Sequence, residues 1–492
     1  MPTYQFQTTT SLTDCYTVAS QIFNHPPNNS GFPVTHTLFS SVGLPPAQID
    51  NLASLGYLHM TPIQALSLPA ALAGKDLIAQ AKTGSGKTAA FALPLLTKLN
   101  PRDFGTQALV LCPTRELATQ VATEIRRLAR YQPNIKVVTL CGGVSIGPQI
   151  GSLEHGAHIV VGTPGRIKDH LSKETLSLAR TNMVVLDEAD RMLEMGFIDD
   201  MVSILEETPT DRQTLLFSAT YPKDIAAISA RFQHSPVQIA VEASDEDNTI
   251  EQKMFVCSKQ QRLDGLVKLL THFKPHTAVI FCNTKLLVRD VGEHLNACGI
   301  YTAVLHGDLE QRDRDHVLVQ FRQQSCRILV ATDVAARGLD IDDLAAVINF
   351  ELPHDAETYV HRIGRTGRAG KSGLALTLFT EAERFKIERI TNYLKYDIPF
   401  VSLETLPMSD TRLPAPEFLT LCIAGGRKAK VRPGDILGAL TGPGGVDGKA
   451  VGKIDINDHA AFVAIQRNLA DTALTCLQEG KIKGRKFRVT KM

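Results

Sequence analysis

Short apolar runs recur along the chain, with room for a helix between successive runs. In the first half they are Asp76 to Gln80, Ala108 to Cys112, Lys136 to Cys141, His158 to Gly162, Met183 to Leu186 and Thr214 to Phe217. Strands alternating with helical stretches predict a parallel sheet covered by helices on both faces. A polar stretch, Glu242 to Gln252, breaks the pattern and reads as a linker. A second alternating series follows in Ala278 to Cys282, Ala303 to His306, Arg327 to Ala331, Ala346 to Phe350 and Leu374 to Phe379. Two α/β domains are therefore expected, over residues 37–241 and 253–405, with a cleft in which a ligand could couple its chemistry to closure. Beyond a turn-rich stretch, residues 406–416, the order changes. Phe418 to Ile423, Asp435 to Leu440, Lys453 to Ile456, Ala461 to Ile465, Asp471 to Leu477 and Lys486 to Val489 predict strand, helix, strand, strand, helix, strand over residues 417–492. That is the order of an RNA recognition fold.

Composition narrows the class. A chain of 492 residues is too long for one ordinary core, and 43% hydrophobic with 21% charged residues is a globular composition without a membrane-length apolar run. The nine cysteines are scattered, with no Cys-x-x-Cys pair and no Cys/His ligand spacing, so reduced thiols, a cytoplasmic protein and no zinc are expected. Residues 1–36 contain no Lys or Arg and many Thr, Ser, Asn and Pro; they read as a disordered or loosely attached extension with neither a secretion signal nor a transit peptide. The net charge of +1 hides an asymmetry: Pro414 to Met492 carries 13 Lys and Arg against 7 Asp and Glu, or +6. A basic end of this kind suits a phosphate backbone, although a solvated lysine-rich surface has the same composition.

The chemistry sits at the ends of the apolar runs. After Asp76 to Gln80 comes Ala81-Lys82-Thr83-Gly84-Ser85-Gly86-Lys87-Thr88 and a helical stretch from Ala89 to Leu99. Gly84 and Gly86 let the backbone turn and aim several N–H groups at phosphate oxygens, Lys87 can reach the β and γ phosphates, and the Thr88 hydroxyl can ligate Mg2+. The strict phosphate-loop pattern opens with glycine where this chain has Ala81, and a Gly/Ser turn before an ordinary helix is the plainer alternative. A second strand, Val184-Val-Leu-Asp-Glu-Ala-Asp190, ends in carboxylates. At the carboxyl edge of a parallel sheet Asp187 could hold Mg2+ and Glu188 could accept a proton from an attacking water. Together the segments indicate a nucleoside triphosphatase that uses ATP and Mg2+.

Further segments follow in order, each at a predicted strand end: Pro113-Thr-Arg-Glu-Leu-Ala118, Gly142-Gly143, Thr163-Pro-Gly-Arg166, Ser218-Ala-Thr220, Ala331-Thr-Asp-Val-Ala-Ala-Arg-Gly-Leu-Asp340 and His361-Arg-Ile-Gly-Arg-Thr-Gly-Arg368, with Thr61-Pro-Ile-Gln64 and Phe39 upstream. The ordered set resembles the DEAD-box RNA helicases, with Asp187-Glu188-Ala189-Asp190 as the eponymous motif, and Ala81 is usual in that family. The resemblance implies two tandem RecA-like parallel-sheet domains. It implies that Gln64 reads adenine with Phe39 stacked nearby, that Asp340 meets the ribose, and that Arg365 and Arg368 neutralise charge on the γ phosphate. Thr114, Arg115, Gly143, Thr163 and Arg166, with Thr284, Thr332, Arg337 and Gly338, resemble the family's RNA-backbone contacts, a sequence-blind set. Any of these threonines taken alone reads more readily as a helix cap or a strand residue. Ser218, Thr220 and His361 would couple ATP to the RNA side.

The carboxyl-terminal segment, with Ala424-Gly-Gly-Arg-Lys428 and Gly484-Arg-Lys-Phe487, resembles the RRM-like α+β module of the bacterial DbpA-type helicases. The resemblance implies anchoring to a hairpin of 23S ribosomal RNA in pre-50S particles during ribosome assembly. Stacking positions on its sheet hold Cys422 or Thr420 and Ala460, leaving Phe462 as the one plausible aromatic, so contact is expected from Arg427, Lys428, Lys430, Arg432, Lys483, Arg485, Lys486 and Arg488. A processive DNA translocase and an ATP-gated RNA clamp that does not unwind are the competing readings.

Overall fold

A computed structural model describes residues 37–81, 84–241, 250–336, 344–367, 372–406, 413–442 and 444–492. The first lobe is a seven-stranded parallel sheet built from β1 (Leu77–Gln80), β2 (Ala108–Leu111), β3 (Val137–Leu140), β4 (Ile159–Gly162), β5 (Met183–Asp187), β6 (Gln213–Ser218) and β7 (Val237–Ala240). Its order, β3-β4-β2-β5-β6-β1-β7, puts β5, β6 and β1 side by side. The carboxyl ends of those three strands carry the acids, Ser218 and the phosphate loop, so segments more than a hundred residues apart meet on one edge; the Ala81 amide donates to the Ser218 carbonyl at 3.0 Å. The helix after the loop, Lys87–Lys98, buries Ala89 through Leu96 and locks that edge to the core.

The second lobe repeats the plan with β8 (Ile250–Val256), β9 (Ala278–Phe281), β10 (Thr302–Leu305), β11 (Ile328–Ala331), β12 (Ala346–Asn349), β13 (Gly373–Phe379) and β14 (Phe400–Ser402), in the order β10-β11-β9-β12-β13-β8-β14. Three of these strands differ from the sequence expectation. β7 and β14 escape it because they are short edge strands that alternate or are largely exposed. β8 opens at Ile250, inside the stretch expected to be linker, because Glu251 and Lys253 give it a polar face that resembles loop composition.

The carboxyl-terminal unit is a four-stranded antiparallel sheet, β16-β17-β15-β18, from β15 (Phe418–Ile423), β16 (Val451–Ile456), β17 (Ala461–Gln466) and β18 (Val489–Lys491), backed by the helices Pro433–Leu440 and Ala470–Glu479. β18 begins three residues later than expected. Lys483 and Gly484 turn with positive φ, and residues 486–488 precede the ladder in which Val489 pairs with Ile423.

One face of this sheet is spent on the second lobe. Gln323, which caps the helix Gln311–Arg322, donates to Asp455 Oδ2 at 3.0 Å and to the Phe462 carbonyl at 3.3 Å and accepts from Thr420 Oγ1 at 3.0 Å. Ser325 and Thr420 share a hydroxyl hydrogen bond at 2.7 Å. Phe462, 1% exposed, meets the His316 ring edge-on at 5.6 Å, and Arg467 lies 5.3 Å over Tyr301. The one aromatic available for base stacking is thus a docking residue. Gln323→Leu removes the partner of Asp455 Oδ2 and of the Phe462 carbonyl and leaves Thr420 with Ser325 alone, at about 1–3 kcal/mol. Calorimetry of the whole chain should then resolve the four-stranded unit as a separate, earlier transition; one unchanged transition would show that this docking adds no stability.

Candidate active site

The phosphate loop is fastened before any ligand arrives. Gly84 and Gly86 have φ of +83° and +90°, which favours glycine, and a Cβ on Gly86 would come within 2.5 Å of Gln64 Nε2. Gln64 itself is buried: its Oε1 accepts from the Thr61 amide at 2.9 Å and its Nε2 donates to the Gly86 carbonyl at 3.0 Å. The amide expected to read adenine thereby holds the loop to its own helix. Lys87 is buried and donates from Nζ to the Ala81 carbonyl at 3.1 Å. Lys82 and Thr83 lie outside the described residues, as do Arg337, Gly338, Asp340 and Arg368. Phe39, expected beside the base, is 3% exposed and edge-on to Tyr57 at 6.3 Å; in this structure it is a core residue of the first lobe rather than an open stacking platform.

The acids at the end of β5 have distinct surroundings. Burial pushes the Asp187 carboxyl up to about 7 against the pull of Lys87. Its Oδ1, like the Ser85 hydroxyl, is buried without a hydrogen-bond partner among the described residues. Buried orphan oxygens beside a phosphate loop fit a Mg2+–phosphate group, which would supply the missing partners and stabilise the ionised carboxylate. Glu188 sits in the left-handed region, φ +54°, a conformation that costs a non-glycine residue about 1–3 kcal/mol. Burial alone would raise its pKa, but Arg191, Lys87 and Arg365 together hold it below the usual carboxylate value. Arg191 lies 3.5 Å from its Oε2. Asp190 is the partner that sequence reading left unassigned: its Oδ2 accepts from the Ala219 amide at 3.0 Å and from the Thr220 amide and hydroxyl at 2.9 and 3.1 Å, while its own amide donates to Ser218 Oγ at 3.3 Å. Ser218 and Thr220 are thereby tied to the acidic strand end.

Across the cleft, the helix Ala356–Ile363 brings His361 and Arg365 to the same place. Arg362, which the sequence reading passed over, is the brace of this region. It reaches both oxygens of Asp333 at 2.7 Å, Asn349 Oδ1 at 3.0 Å, the Glu351 carbonyl at 2.7 Å and Asn283 Oδ1 at 2.9 Å.

Residues expected on the RNA side fall into two kinds. Thr114, Thr284 and Thr332 accept from the amides of Leu117, Leu287 and Ala335, so each is a cap as well as a candidate contact. Thr163 occupies the N-cap of the helix Pro164–Ser172 with no capping bond from its side chain. Gly143, φ +71°, lies under the Arg115 guanidinium, which a Cβ would meet at 1.9 Å. Arg115 in turn donates to Gln311 of the second lobe at 2.6 Å, and Glu116 pairs with Arg314 at 3.2 Å. Gln311 and Arg314, three apart on one helix, are a cross-lobe pair that sequence reading missed. Arg166 is turned inward: its Nη2 donates to the Val144 carbonyl at 2.9 Å, its Nη1 to Gln149, and its side chain is 11% exposed. It braces the glycine loop from the edge of the surface expected to meet RNA.

In the carboxyl-terminal unit the two basic segments converge, for Lys483 Nζ donates to the Lys430 carbonyl and the Ala424 amide to the Arg488 carbonyl. Arg427, Lys428, Lys430, Arg432, Lys483, Arg485, Lys486 and Arg488 are all exposed. Burial lowers the pKa of Arg126 in the first lobe, and the nearby Arg427 adds to that lowering.

His361 supplies a pH test. Burial, reinforced by Arg191, lowers its pKa from 6.5 to about 4 despite Asp190 and Glu188, so the imidazole is neutral at pH 7. A lowered folded value means that its contribution is complete above about 6.5 and is lost as pH falls through about 4. Thermal stability, or a donor–acceptor distance across the cleft, followed from pH 7.5 to 4.5 should report this loosening, and His361→Gln should flatten it.

Comparison with known proteins follows the same architecture. A DEAD/DEAH box helicase family matches residues 61–228, a helicase conserved C-terminal domain residues 259–370, and a DbpA RNA binding domain residues 420–491. The chain is 53% identical over 456 residues to the ATP-dependent RNA helicase DbpA of Escherichia coli (strain K12), covering 92% of this chain and 99% of that protein. It is 44% identical over 371 residues to the DEAD-box ATP-dependent RNA helicase CshA of Bacillus cereus, covering 75% and 70%. S. cerevisiae Dbp5 bound to RNA and ADP BeF3 superposes with a TM-score of 0.69 at 29% identity, over 75% of this chain and 96% of that one. Mss116p bound to ssRNA and AMP-PNP gives 0.68 at 26% identity, over 76% and 81%.

Proposed function

The chain belongs to the DEAD-box family of ATP-hydrolysing RNA helicases, and from that membership we propose how its residues divide the work. ATP binds on the phosphate loop, Ala81 to Thr88, with Lys87 on the β and γ phosphates and Gln64 reading the base. Thr88 and Asp187 would hold Mg2+, which would supply neutralisation of the phosphate charge. Glu188 is the general base for the attacking water, and Arg365 and Arg368 stabilise charge developing on the γ phosphate, with Asp340 on the ribose. The observation that carries this reading is the state of Glu188. A base must be ionised to accept a proton, and the groups that keep Glu188 ionised despite burial include Arg365 of the opposite lobe. Full electrostatic support of the base thus depends on closure.

RNA lies across both lobes, on Thr114, Arg115, Gly143, Thr163 and Arg166 of the first and Thr284, Thr332, Arg337 and Gly338 of the second. These groups suit phosphate and 2′-OH and carry no base code. Ser218 and Thr220, through Asp190, and His361 relay the ATP state to that surface. The basic end of the carboxyl-terminal unit, Arg427 to Arg432 with Lys483 to Arg488, grips a structured RNA by its backbone. Its match to the DbpA RNA binding domain supports a hairpin of 23S rRNA in pre-50S particles as the target and ribosome assembly as the setting, in the cytoplasm. Among the described residues no helix is long and apolar enough to cross a membrane.

Glu188→Gln should bind ATP and RNA normally yet lose turnover by about 100-fold or more, measured by phosphate release under saturating RNA. Wild-type turnover would place the base elsewhere. A chain ending near Ser409 should keep RNA-stimulated ATPase activity and lose its preference for hairpin-bearing rRNA fragments. Should the preference persist, the carboxyl-terminal unit is not what selects the RNA. Release of a labelled strand from a duplex, measured alongside turnover, distinguishes a helicase cycle from a clamp that holds without unwinding.

A further inference from the structure

Between the glycine pair and the helix Pro164–Ser172 lies a buried polar hub that none of the steps above uses. Gln149, on the helix Gly147–Leu153, is 9% exposed, and His170 is fully buried. Gln149 Nε2 donates to the Cys141 carbonyl, immediately before Gly142, at 2.8 Å. Its Oε1 accepts from Arg166 Nη1 at 3.0 Å and lies 3.1 Å from His170 Nε2. His170 Nδ1 is 2.8 Å from the Thr175 hydroxyl, and burial together with Arg166 lowers the imidazole pKa, so a neutral ring can donate from Nε2 and accept at Nδ1. Arg166 closes the circuit on the Val144 carbonyl.

We propose that Gln149 is a positioning residue for RNA: it joins the Cys141–Val144 loop to the first turns of the helix Pro164–Ser172, so that Gly143 and Thr163 present one preset surface to the RNA backbone. An uncharged amide suits this place for a definite reason. It donates to one carbonyl and accepts from two donors at once, whereas Glu offers no donor to Cys141 and Leu offers neither function. Without the join, the two backbone segments must be ordered by the RNA itself, and that cost appears as weaker binding. Arg166 is held in the same join through Gln149 Oε1.

The inference rests on the reading that Gly143 and Thr163 face RNA, and the test separates the two. In the full chain, the RNA concentration for half-maximal ATPase activity, the ATP KM and kcat at saturating RNA are measured with single-stranded RNA at several salt concentrations. Gln149→Leu should raise the RNA half-saturation about tenfold, with the ATP KM unchanged and kcat within about twofold. Gln149→Glu, which keeps the volume and the Arg166 contact, should fall between, and it carries the test should the Leu variant not fold. The Gln149 variants should leave the slope of log affinity against log salt unchanged, whereas loss of a phosphate contact, as expected for Arg166→Gln, reduces that slope by about 0.7. Gly143→Ala is the control for the underlying reading. If Gly143→Ala weakens RNA binding and the Gln149 variants do not, this inference fails alone; if none of them moves the RNA half-saturation, the RNA face has been misplaced; and a reduced salt slope for the Gln149 variants would show that they remove a charged contact and overturn the positioning role.

Discussion

Burying Asp187, Glu188 and Asp190 at one strand end is the constraint to which the rest of the molecule responds. A carboxylate taken out of water is tolerated only when hydrogen bonds or opposite charges replace the lost hydration. Each of the three acids is given a different solution. Asp190 takes the Ser218–Thr220 segment, Glu188 takes Arg191 with Lys87 and Arg365, and Asp187 keeps an oxygen without a partner among the described residues and has its pKa raised by burial. The incomplete solution at Asp187 fits a cation, and the partly borrowed solution at Glu188 brings the second lobe into the electrostatics of the first lobe's site. Lobe closure is therefore written into the electrostatics of the strand end.

The fold and the nucleotide side of the site were legible in the sequence because their chemistry is local. A phosphate loop needs its glycines, lysine and threonine in consecutive positions, and buried parallel strands announce themselves as apolar runs. Bracing residues were not legible, because their partners are remote in sequence: Arg362 gathers Asp333, Asn349 and Asn283, and Gln149 gathers Cys141, Arg166 and His170. Nothing in the neighbourhood of either residue announces the partner. Residue type also left out a second role at some positions. Arg166, read as an RNA contact, also braces Gln149 and the Val144 carbonyl, and Phe39, read as a ring near the base, packs in the core of the first lobe.

The carboxyl-terminal unit shows how position changes the use of a fold. An RNA-recognition-like sheet has an open face for stacked bases, but here that face meets the loop after the helix Gln311–Arg322, with Phe462 and Thr420 buried in the contact. The exposed basic segments at the strand ends are what remain available to RNA. Such an interface favours a partner recognised by backbone shape and charge over one read by stacking, in keeping with the absence of aromatics at the usual positions.

The helix Gln311–Arg322 links these two stories. Its amino-terminal Gln311 and Arg314 meet Arg115 and Glu116 of the first lobe, whereas His316 and Gln323, farther along, meet the carboxyl-terminal sheet. Both contacts lie on one helix of the second lobe, and in this arrangement the basic end of the carboxyl-terminal unit lies near Arg126 of the first lobe. Like charges brought near each other repel, so a polyanion between Arg126 and Arg427 would relieve that repulsion. On the reading proposed above, RNA bound there would favour the closed arrangement through differential affinity alone, with no change inside either sheet.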